Sequence, residues 1–198
     1  MTIWVKICGL TTSEAVQAAV ASGADAIGFV FAESKRQVTP QRARELAQGV
    51  TLPRVAVMQH PTQAQLDAVW SVFRPDVLQT DIDDLATLRV PHGLSVMPVV
   101  RSSSVPPSQL PRRILFEGPK SGTGETSDWS AAARLARATQ LVLAGGLTPS
   151  NVAAAIAAVA PFGVDVSIGV EAAPGMKDPI KIHEFVRNAR AAANGANR

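Results

Sequence analysis

The stretch "QLVLAGGLTPSNVAAAIAAVAPFGVDVSIG", residues 140–169, contains the strand–helix–strand pattern that decides the fold of this chain. Two short apolar runs, 140–144 and 163–167, flank an alanine-rich helical pattern that starts after Thr148-Pro149. The first run is continuously apolar, which suits a strand that is covered on both faces. Covered strands joined by a helix are typical of a parallel sheet.

The same unit recurs along the whole chain. Eight apolar runs begin 18 to 29 positions apart, and helical patterns separate most of them. The predicted strands are 4–8, 25–31, 54–58, 76–79, 94–100, 113–117, 140–144 and 163–167. Eight strands that alternate with about seven helices, without a linker, predict an α/β fold: a compact (β/α)8 TIM barrel that forms a single domain over residues 1–198.

Most of the helices have a recognisable start. Caps or first-turn prolines are predicted at Thr12 or Ser13, Thr39-Pro40, Thr62, Asp128, Thr148-Pro149 and Asp178-Pro179. Residues 101–111, with two adjacent prolines and three serines, predict a stunted or absent helix after the fifth strand. An open doubly wound sheet is the main alternative, but no GxGxxG motif follows the first run.

Composition narrows the class of protein. The chain has 198 residues, 46% hydrophobic and 18% charged, with a net charge of +3, which is a globular composition without a nucleic-acid-binding stripe. No signal-peptide pattern and no apolar run of membrane length are present, so we expect a soluble cytoplasmic protein. The single cysteine, Cys8, excludes an intrachain disulfide and a thiolate metal cluster.

Glycine-rich loops follow the last three predicted strands, as SGTG (121–124), AGGLTPSN (144–151) and SIGVEAAPG (167–175). Backbone N–H groups in such turns bind phosphate, and these barrels carry a recurrent phosphate site after the seventh and eighth strands. For any single loop a simple tight turn is the better interpretation. Three loops on consecutive strands predict a phosphorylated ligand.

Several polar residues are placed at the ends of predicted strands, where barrel enzymes carry their chemistry. Cys8 is either a small buried residue or a nucleophile or base. Glu117 is either a solvated carboxylate or a general acid. Arg36 is a surface charge or a clamp for a carboxylate, and Asp165 needs a partner or a substrate hydroxyl. Asp128 is interpreted as a helix cap.

Five segments together resemble one enzyme family. They are "VKICGLT" (5–11), "DAIGFVFAESKRQVTP" (25–40), "GTGETSDW" (122–129), "LVLAGGLTPSNV" (141–152) and "GVDVSIGVEAAPGMKD" (163–178). Their order and content are similar to phosphoribosylanthranilate isomerase, a (β/α)8-barrel enzyme of tryptophan biosynthesis. The resemblance spans nearly the whole chain.

The resemblance implies an Amadori rearrangement of N-(5-phosphoribosyl)anthranilate to 1-(2-carboxyphenylamino)-1-deoxyribulose 5-phosphate. It implies no cofactor and no metal, and a small phosphorylated aminosugar as the partner. From the composition we expect no nucleic-acid or membrane partner, and we expect a monomer or homodimer. Cys8 matches the general base of the family, and Glu117 stands at the position of the general acid.

Further residues match the binding positions of the family. Arg36 would contact the anthranilate carboxylate, Asp165 would approach the sugar hydroxyls, and Gln79 would contact the substrate. The phosphate-binding positions that the resemblance implies are Gly122, Gly124, Gly145, Gly146, Ser167, Ile168 and Gly169.

Three positions depart from the family pattern. The usual aspartate of "LLD" is Glu117, one methylene longer. The usual "QLHG" after the fourth strand is Gln79-Thr80-Asp81-Ile82, which removes the usual histidine and glycine of this loop. The usual "SSG" is Ser167-Ile168-Gly169, which removes one hydroxyl but keeps a backbone N–H. We expect activity to survive these changes.

Two other functions remain open. A related sugar-phosphate barrel would be an indole-glycerol-phosphate synthase, which needs a catalytic lysine such as Lys6, or a ribulose-phosphate epimerase, which typically needs metal-binding histidines. The histidines His60, His92 and His183 do not suggest such a set. A non-catalytic phosphosugar-binding barrel is the third interpretation.

Overall fold

A computed structural model describes residues 2–103, 107, 109–119 and 126–195. In this part of the chain, eight parallel strands close into a barrel in sequence order. The strands are β1 (Trp4–Cys8), β2 (Ala26–Val30), β3 (Arg54–Val57), β4 (Val77–Asp81), β5 (Ser95–Arg101), β6 (Arg113–Glu117), β7 (Gln140–Leu143) and β8 (Gly163–Val166). The predicted barrel is confirmed, and each strand lies within about two residues of its predicted bounds.

Helices connect most of the strands on the outside of the barrel. They are α1 (Ser13–Ala21), α2 (Pro40–Leu46), α3 (Gln63–Phe73), α4 (Trp129–Ala136), α5 (Val152–Val159) and α6 (Pro179–Gly195). Thr12, Thr39, Thr62 and Asp128 each accept a backbone N–H of the first helical turn, so these predicted caps are confirmed. A short antiparallel hairpin, β9 (Glu171–Ala173) and β10 (Met176–Lys177), follows β8.

The start of α5 differs from the prediction. The helix begins at Val152, several residues after the expected start at Thr148-Pro149. The side chain of Asn151 explains the difference, because its Oδ1 accepts the Thr148 N–H at 2.8 Å and its Nδ2 donates to the Gly146 carbonyl at 2.9 Å. These bonds hold residues 146–151 in a turn and delay the helix.

The connections on either side of β5 are short. A 3₁₀ helix, Ile82–Ala86, follows β4 directly and was not predicted. Between β5 and β6, none of the described residues 102–103, 107 and 109–112 is helical, as the prolines and serines predicted. This side of the barrel therefore lacks a full covering helix in its described part.

Two layers of apolar side chains hold the barrel together. Outward-facing strand residues such as Val5 and Ile7 pack under the helices in the larger cluster. A smaller cluster fills the interior, and it consists of Ala26, Val55, Met97, Val99, Leu115, Val142 and Ala144. Side chains alternate along a strand, so Lys6 and Cys8 point into the barrel, whereas Val5 and Ile7 point outward.

Aromatic residues close the N-terminal end of the barrel. Trp4 stacks on Phe162 with 6.4 Å between the ring centroids, and the Arg113 guanidinium lies 4.4 Å from the Phe162 ring. All three residues stand at or just before the first residue of a strand. A cavity can therefore open at the opposite end, where the strands finish.

Among the described residues, no helix combines the length and hydropathy that crossing a membrane requires.

Candidate active site

A cavity of about 680 Å³ opens at the C-terminal end of the barrel strands. Its walls come from the ends of the strands, from the loops after β2 and β3, and from the β9–β10 hairpin. Residues singled out in the sequence that line it are Cys8, Arg36, Gln79, Glu117, Asp165, Ser167 and Ile168. The closed barrel thus brings together side chains from both ends of the chain.

Asp165 finds its partner inside the barrel. The Lys6 ammonium lies 2.7 Å from Oδ1 of Asp165, and the Lys6 side chain has no exposed surface. Lys6 and Asp165 are directly paired in the β1–β8 register, which places both side chains in the interior. Burial lowers the pKa of Lys6, but the charges of Asp165 and Cys8 and the hydrogen bonds to them together more than offset this, and the pKa lies above its usual value. The partner expected for Asp165 is therefore a lysine of the protein itself.

Cys8 lies next to this ion pair at the end of β1. It is 5% exposed, and burial raises the pKa of its thiol, while the Lys6 charge acts in the opposite direction. Gly28 on β2 leaves the space for both groups, since a Cβ there would lie 3.0 Å from the Cys8 sulfur and 3.0 Å from Lys6 Cε. The Lys6 ammonium is the nearer of two lysine charges, with Lys177, that favour ionisation of this thiol.

A second cavity of about 100 Å³, here called the glycine pocket, adjoins the first between the loops after β7 and β8. Residues 144–148 and 165–169 line it, together with Glu117. Gly169 is required by the close approach of these loops, because a Cβ there would overlap the Leu147 carbonyl oxygen at 1.9 Å. The predicted residues Gly145, Gly146, Ser167, Ile168 and Gly169 are thus brought together, whereas Gly122 and Gly124 lie outside the described residues.

Arg36 is bound by Glu171 of the β9–β10 hairpin. Its Nε and Nη2 donate to the two carboxylate oxygens of Glu171 at 2.6 and 2.8 Å. Lys177 donates to the same carboxylate at 2.9 Å and to the Ser167 backbone carbonyl at 2.9 Å. Burial acts to raise the pKa of Glu171, but the hydrogen bonds from Arg36 and Lys177 dominate and lower it. Burial lowers the pKa of Lys177.

Neither Glu171 nor Lys177 was predicted as a site residue. Both stand within the segment "GVEAAPGMKD" that contributed to the family resemblance. Their spacing could have suggested a paired acid and base, but the five residues between them had to fold into a hairpin for the pair to form. Glu171 binds the guanidinium of Arg36, and Lys177 binds both Glu171 and the Ser167 carbonyl. The pair therefore connects Arg36 to the loop after β8.

Gln79 lies on β4 and its side chain reaches the cavity. It is 5% exposed, and among the described residues its Oε1 has no hydrogen-bond partner. A buried acceptor without a partner is costly unless a ligand or water supplies the donor. Gln79 therefore has the environment expected of a ligand-binding residue.

Charged side chains stand at the ends of β4, β5 and β6. Arg101 donates from Nε and Nη2 to both oxygens of Asp81, at 2.6 and 2.9 Å. The Nη1 atom of the same guanidinium lies 3.7 Å from Oε2 of Glu117. Glu117 lines both cavities, so its carboxyl lies between the larger space and the glycine pocket.

His60 extends this set of charges to the surface. Its Nδ1 lies 2.9 Å from Asp84, which also accepts a 2.5 Å hydrogen bond from Thr80, and its Nε2 lies 3.8 Å from Asp81. The side chain is 68% exposed, and the hydrogen bond to Asp84 is the main cause that raises the pKa of His60. Ligating atoms of His60, Asp81 and Asp84 lie within 4.8 Å of one another, a grouping that was not expected from the sequence.

Comparison with known proteins identifies the family. Residues 5–188 match the family model described as N-(5'-phosphoribosyl)anthranilate (PRA) isomerase. The chain is 39% identical over 190 residues to the N-(5'-phosphoribosyl)anthranilate isomerase of Streptococcus gordonii, covering 94% of this chain and 97% of that protein. The chain belongs to the phosphoribosylanthranilate isomerase family.

Solved structures of the phosphoribosylanthranilate isomerase family have the same architecture. TrpF from Jonesia denitrificans superposes with a TM-score of 0.81 at 37% identity, covering 96% of this chain and 98% of that one. A second structure, at a TM-score of 0.76 and 32% identity, covers 96% of this chain and 99% of its own. It is a phosphoribosylanthranilate isomerase in complex with reduced 1-(o-carboxyphenylamino)-1-deoxyribulose 5-phosphate.

The departures from the phosphoribosylanthranilate isomerase pattern fall into two places. Ile168 lies in the glycine pocket, where it begins the 3₁₀ helix Ile168–Val170. The other two departures, Glu117 and Asp81, stand 36 positions apart in the sequence, since 117 − 81 = 36, and both lie beside Arg101. These two changes become neighbours only in the folded barrel.

Proposed function

We propose that this chain converts N-(5-phosphoribosyl)anthranilate to 1-(2-carboxyphenylamino)-1-deoxyribulose 5-phosphate, with Glu117 as general acid and Cys8 as general base. The observation that carries the proposal is that Cys8 and Glu117 both line the main cavity, and that Glu117 also lines the adjoining glycine pocket. A phosphorylated sugar seated in that pocket would extend between them. Family membership supports the same reaction.

The glycine pocket would bind the phosphate. Backbone N–H groups of the loops after β7 and β8 are the donors that such a site needs. The close contact of Gly169 with Leu147 fixes the spacing of the two loops. The phosphate would therefore anchor one end of the substrate.

Arg36 would bind the anthranilate carboxylate at the other end. A guanidinium presents five N–H donors in a planar fork that matches a carboxylate. Glu171 holds that fork by Nε and Nη2, so the plane of the guanidinium is set before the substrate arrives. Such preorganisation lowers the entropy lost on binding.

Glu117 would begin the reaction by donating its proton to the ring oxygen of the ribose. The bond between that oxygen and C1 breaks, the nitrogen lone pair forms the C1=N bond, and the sugar opens to a protonated Schiff base. The ring oxygen keeps the proton as a hydroxyl. Glu117 is left as a carboxylate near Arg101, whose charge favours that product of the step.

Cys8 would then take the proton from C2. The electrons of the C2–H bond form a C1=C2 double bond, and the C1=N electrons return to nitrogen, which gives a neutral enolamine. Protonation at C1 and loss of the proton from the C2 hydroxyl give the ketone. Because burial raises the pKa of Cys8, the reactive thiolate depends on the adjacent Lys6 ammonium.

Turnover by the purified protein tests the proposal directly. Anthranilate-type fluorescence should fall as N-(5-phosphoribosyl)anthranilate is consumed, and Cys8→Ala and Glu117→Ala should each remove most of the activity. Glu117→Asp, measured beside the wild type, shows whether the longer side chain is required. Glu45→Ala, which removes an exposed carboxylate of α2, is a matched control and should keep the wild-type rate.

Two results would contradict the proposal in different ways. A wild-type protein that binds the product but does not turn over the substrate would be a phosphosugar-binding barrel. A Glu117→Ala variant with a near-wild-type rate would keep the reaction and reassign the acid.

A further inference from the structure

Three charged residues form a continuous row at the rim of the barrel, on the ends of three successive strands. Asp81 ends β4, Arg101 ends β5 and Glu117 ends β6. Arg101 and Glu117 are direct partners in the β5–β6 register. The row is partly buried, with 9%, 16% and 16% of the respective side chains exposed.

The contact of Arg101 with Asp81 differs in kind from its contact with Glu117. Both oxygens of Asp81 accept hydrogen bonds, at 2.6 and 2.9 Å, which fixes the plane and the direction of the guanidinium. The contact of Nη1 with Oε2 of Glu117, at 3.7 Å, is longer than a hydrogen bond and acts through charge. Asp81 therefore sets the position of Arg101, and Arg101 exerts a directed attraction on the Glu117 carboxyl.

We propose that Asp81 and Arg101 are positioning residues for Glu117, and that they hold the longer glutamate side chain in the place where it can act as the acid. This inference rests on the proposed function. Asp81 and Glu117 are both departures from the family pattern, and one side chain contacts both. A histidine, which the family places at position 81, could not accept the paired hydrogen bonds that Asp81 accepts.

The charge of the row matters as well as its geometry. A general acid must carry its proton before the reaction, and a guanidinium alone favours the ionised form of a neighbouring carboxyl. Asp81 offsets that positive charge from the opposite side of Arg101. Asp81 thus reduces the net positive charge that Arg101 presents to Glu117.

The kinetic test is a double-mutant cycle between Arg101→Met and Glu117→Ala. Arg101→Met should lower kcat by about 10²-fold with little change in KM, since displacement of a reacting group by roughly 1 Å has an effect of that size. In the Glu117→Ala background, Arg101→Met should cause no further loss of kcat. Losses that multiply in the double variant would overturn the proposal, because Arg101 would then act independently of Glu117.

The barrel provides a matched control at its other end. Arg54 donates to both oxygens of Asp76 between β3 and β4, at 2.9 and 3.2 Å, in the same kind of pair. Arg54→Met removes that pair far from the cavity and should leave kcat and KM unchanged. A fall in kcat equal to that of Arg101→Met would show that loss of any such pair impairs the enzyme, and would overturn the proposal.

A structural measurement decides the proposal even without turnover. Crystal structures of Asp81→Asn and Arg101→Met should show the Glu117 carboxyl displaced by about 1 Å or more from its wild-type position. Asp81→Asn preserves the shape of the side chain, so it remains informative if Arg101→Met fails to fold. A Glu117 carboxyl in the wild-type position would overturn the positioning role. A lack of turnover in the wild type would instead contradict the proposed function alone.

Discussion

At the scale of single residues, Lys6 carries a positive charge to the interior of the barrel and pairs there with Asp165 at 2.7 Å. Removing one partner of such a buried pair typically costs about 3–5 kcal/mol, because the other charge is left without compensation. The pair also places the Lys6 ammonium beside Cys8, whose pKa burial raises and Lys6 lowers. Lys6 therefore has two effects: its ion pair with Asp165 stabilises the barrel interior, and its charge lowers the pKa of the Cys8 thiol.

Alkylation of Cys8 as a function of pH tests this link. The thiolate is the reactive form, and the folded pKa is raised, so the midpoint of the rate against pH should lie above that of the urea-unfolded chain. Lys6→Met should move the midpoint to still higher pH, since the ammonium that favours the thiolate is gone. Cys8 is the single cysteine, so iodoacetamide reports on one site.

Arg42→Met is the control for this experiment, since Arg42 is an exposed residue of α2 and should leave the midpoint unchanged. A Lys6→Met midpoint that is equal to or lower than that of the wild type would contradict the influence of Lys6 on the thiol.

At the scale of elements, local signals predicted most of the helices and strands but not their exceptions. Thr62 illustrates the success, because its side chain and that of Gln65 form a capping box that the short sequence itself contains. The start of α5 illustrates the failure. The Thr148-Pro149 pair resembles a helix start, but Asn151 bonds back to Thr148 and to Gly146. A second local signal, the Asn151 side chain, therefore outweighs the Thr-Pro pair.

The two loops of the glycine pocket give a prediction at the same scale. Gly169→Ala should lower kcat/KM by roughly 10²-fold, because the new Cβ would overlap the Leu147 carbonyl and displace the phosphate donors. Steady-state kinetics, together with competition by inorganic phosphate, measures the loss. Gly195→Ala, where a Cβ would meet nothing within 4 Å, is the control. Equal kcat/KM values for the two variants would exclude a close packing of these loops.

At the scale of the whole molecule, the barrel has one end closed and one end open. Trp4, Phe162 and Arg113 fill the N-terminal end, while the strand ends and the β9–β10 hairpin surround the cavity. A ligand in that cavity would contact elements from the whole length of the chain. Binding should therefore stabilise the entire fold and not a single region.

Thermal unfolding with the reduced product 1-(o-carboxyphenylamino)-1-deoxyribulose 5-phosphate checks this expectation. At a concentration of 100 times Kd, ligand binding adds about 2.7 kcal/mol, which corresponds to a rise in Tm of roughly 5–10 °C for a chain of this size. Arg36→Met should need a higher ligand concentration for the same rise. An unchanged Tm at every concentration would show that the native cavity does not bind this compound.

The sequence by itself determined the order of the strands, most of the helix caps and the residue types at the strand ends. These follow from short-range physics, namely the periodicity of apolar residues and the backbone groups that caps must satisfy. The tertiary structure alone decided the partners: Lys6 for Asp165, Glu171 for Arg36 and Arg101 for both Asp81 and Glu117. Such pairs depend on strand register and on closure of the barrel, which join residues that no local pattern relates.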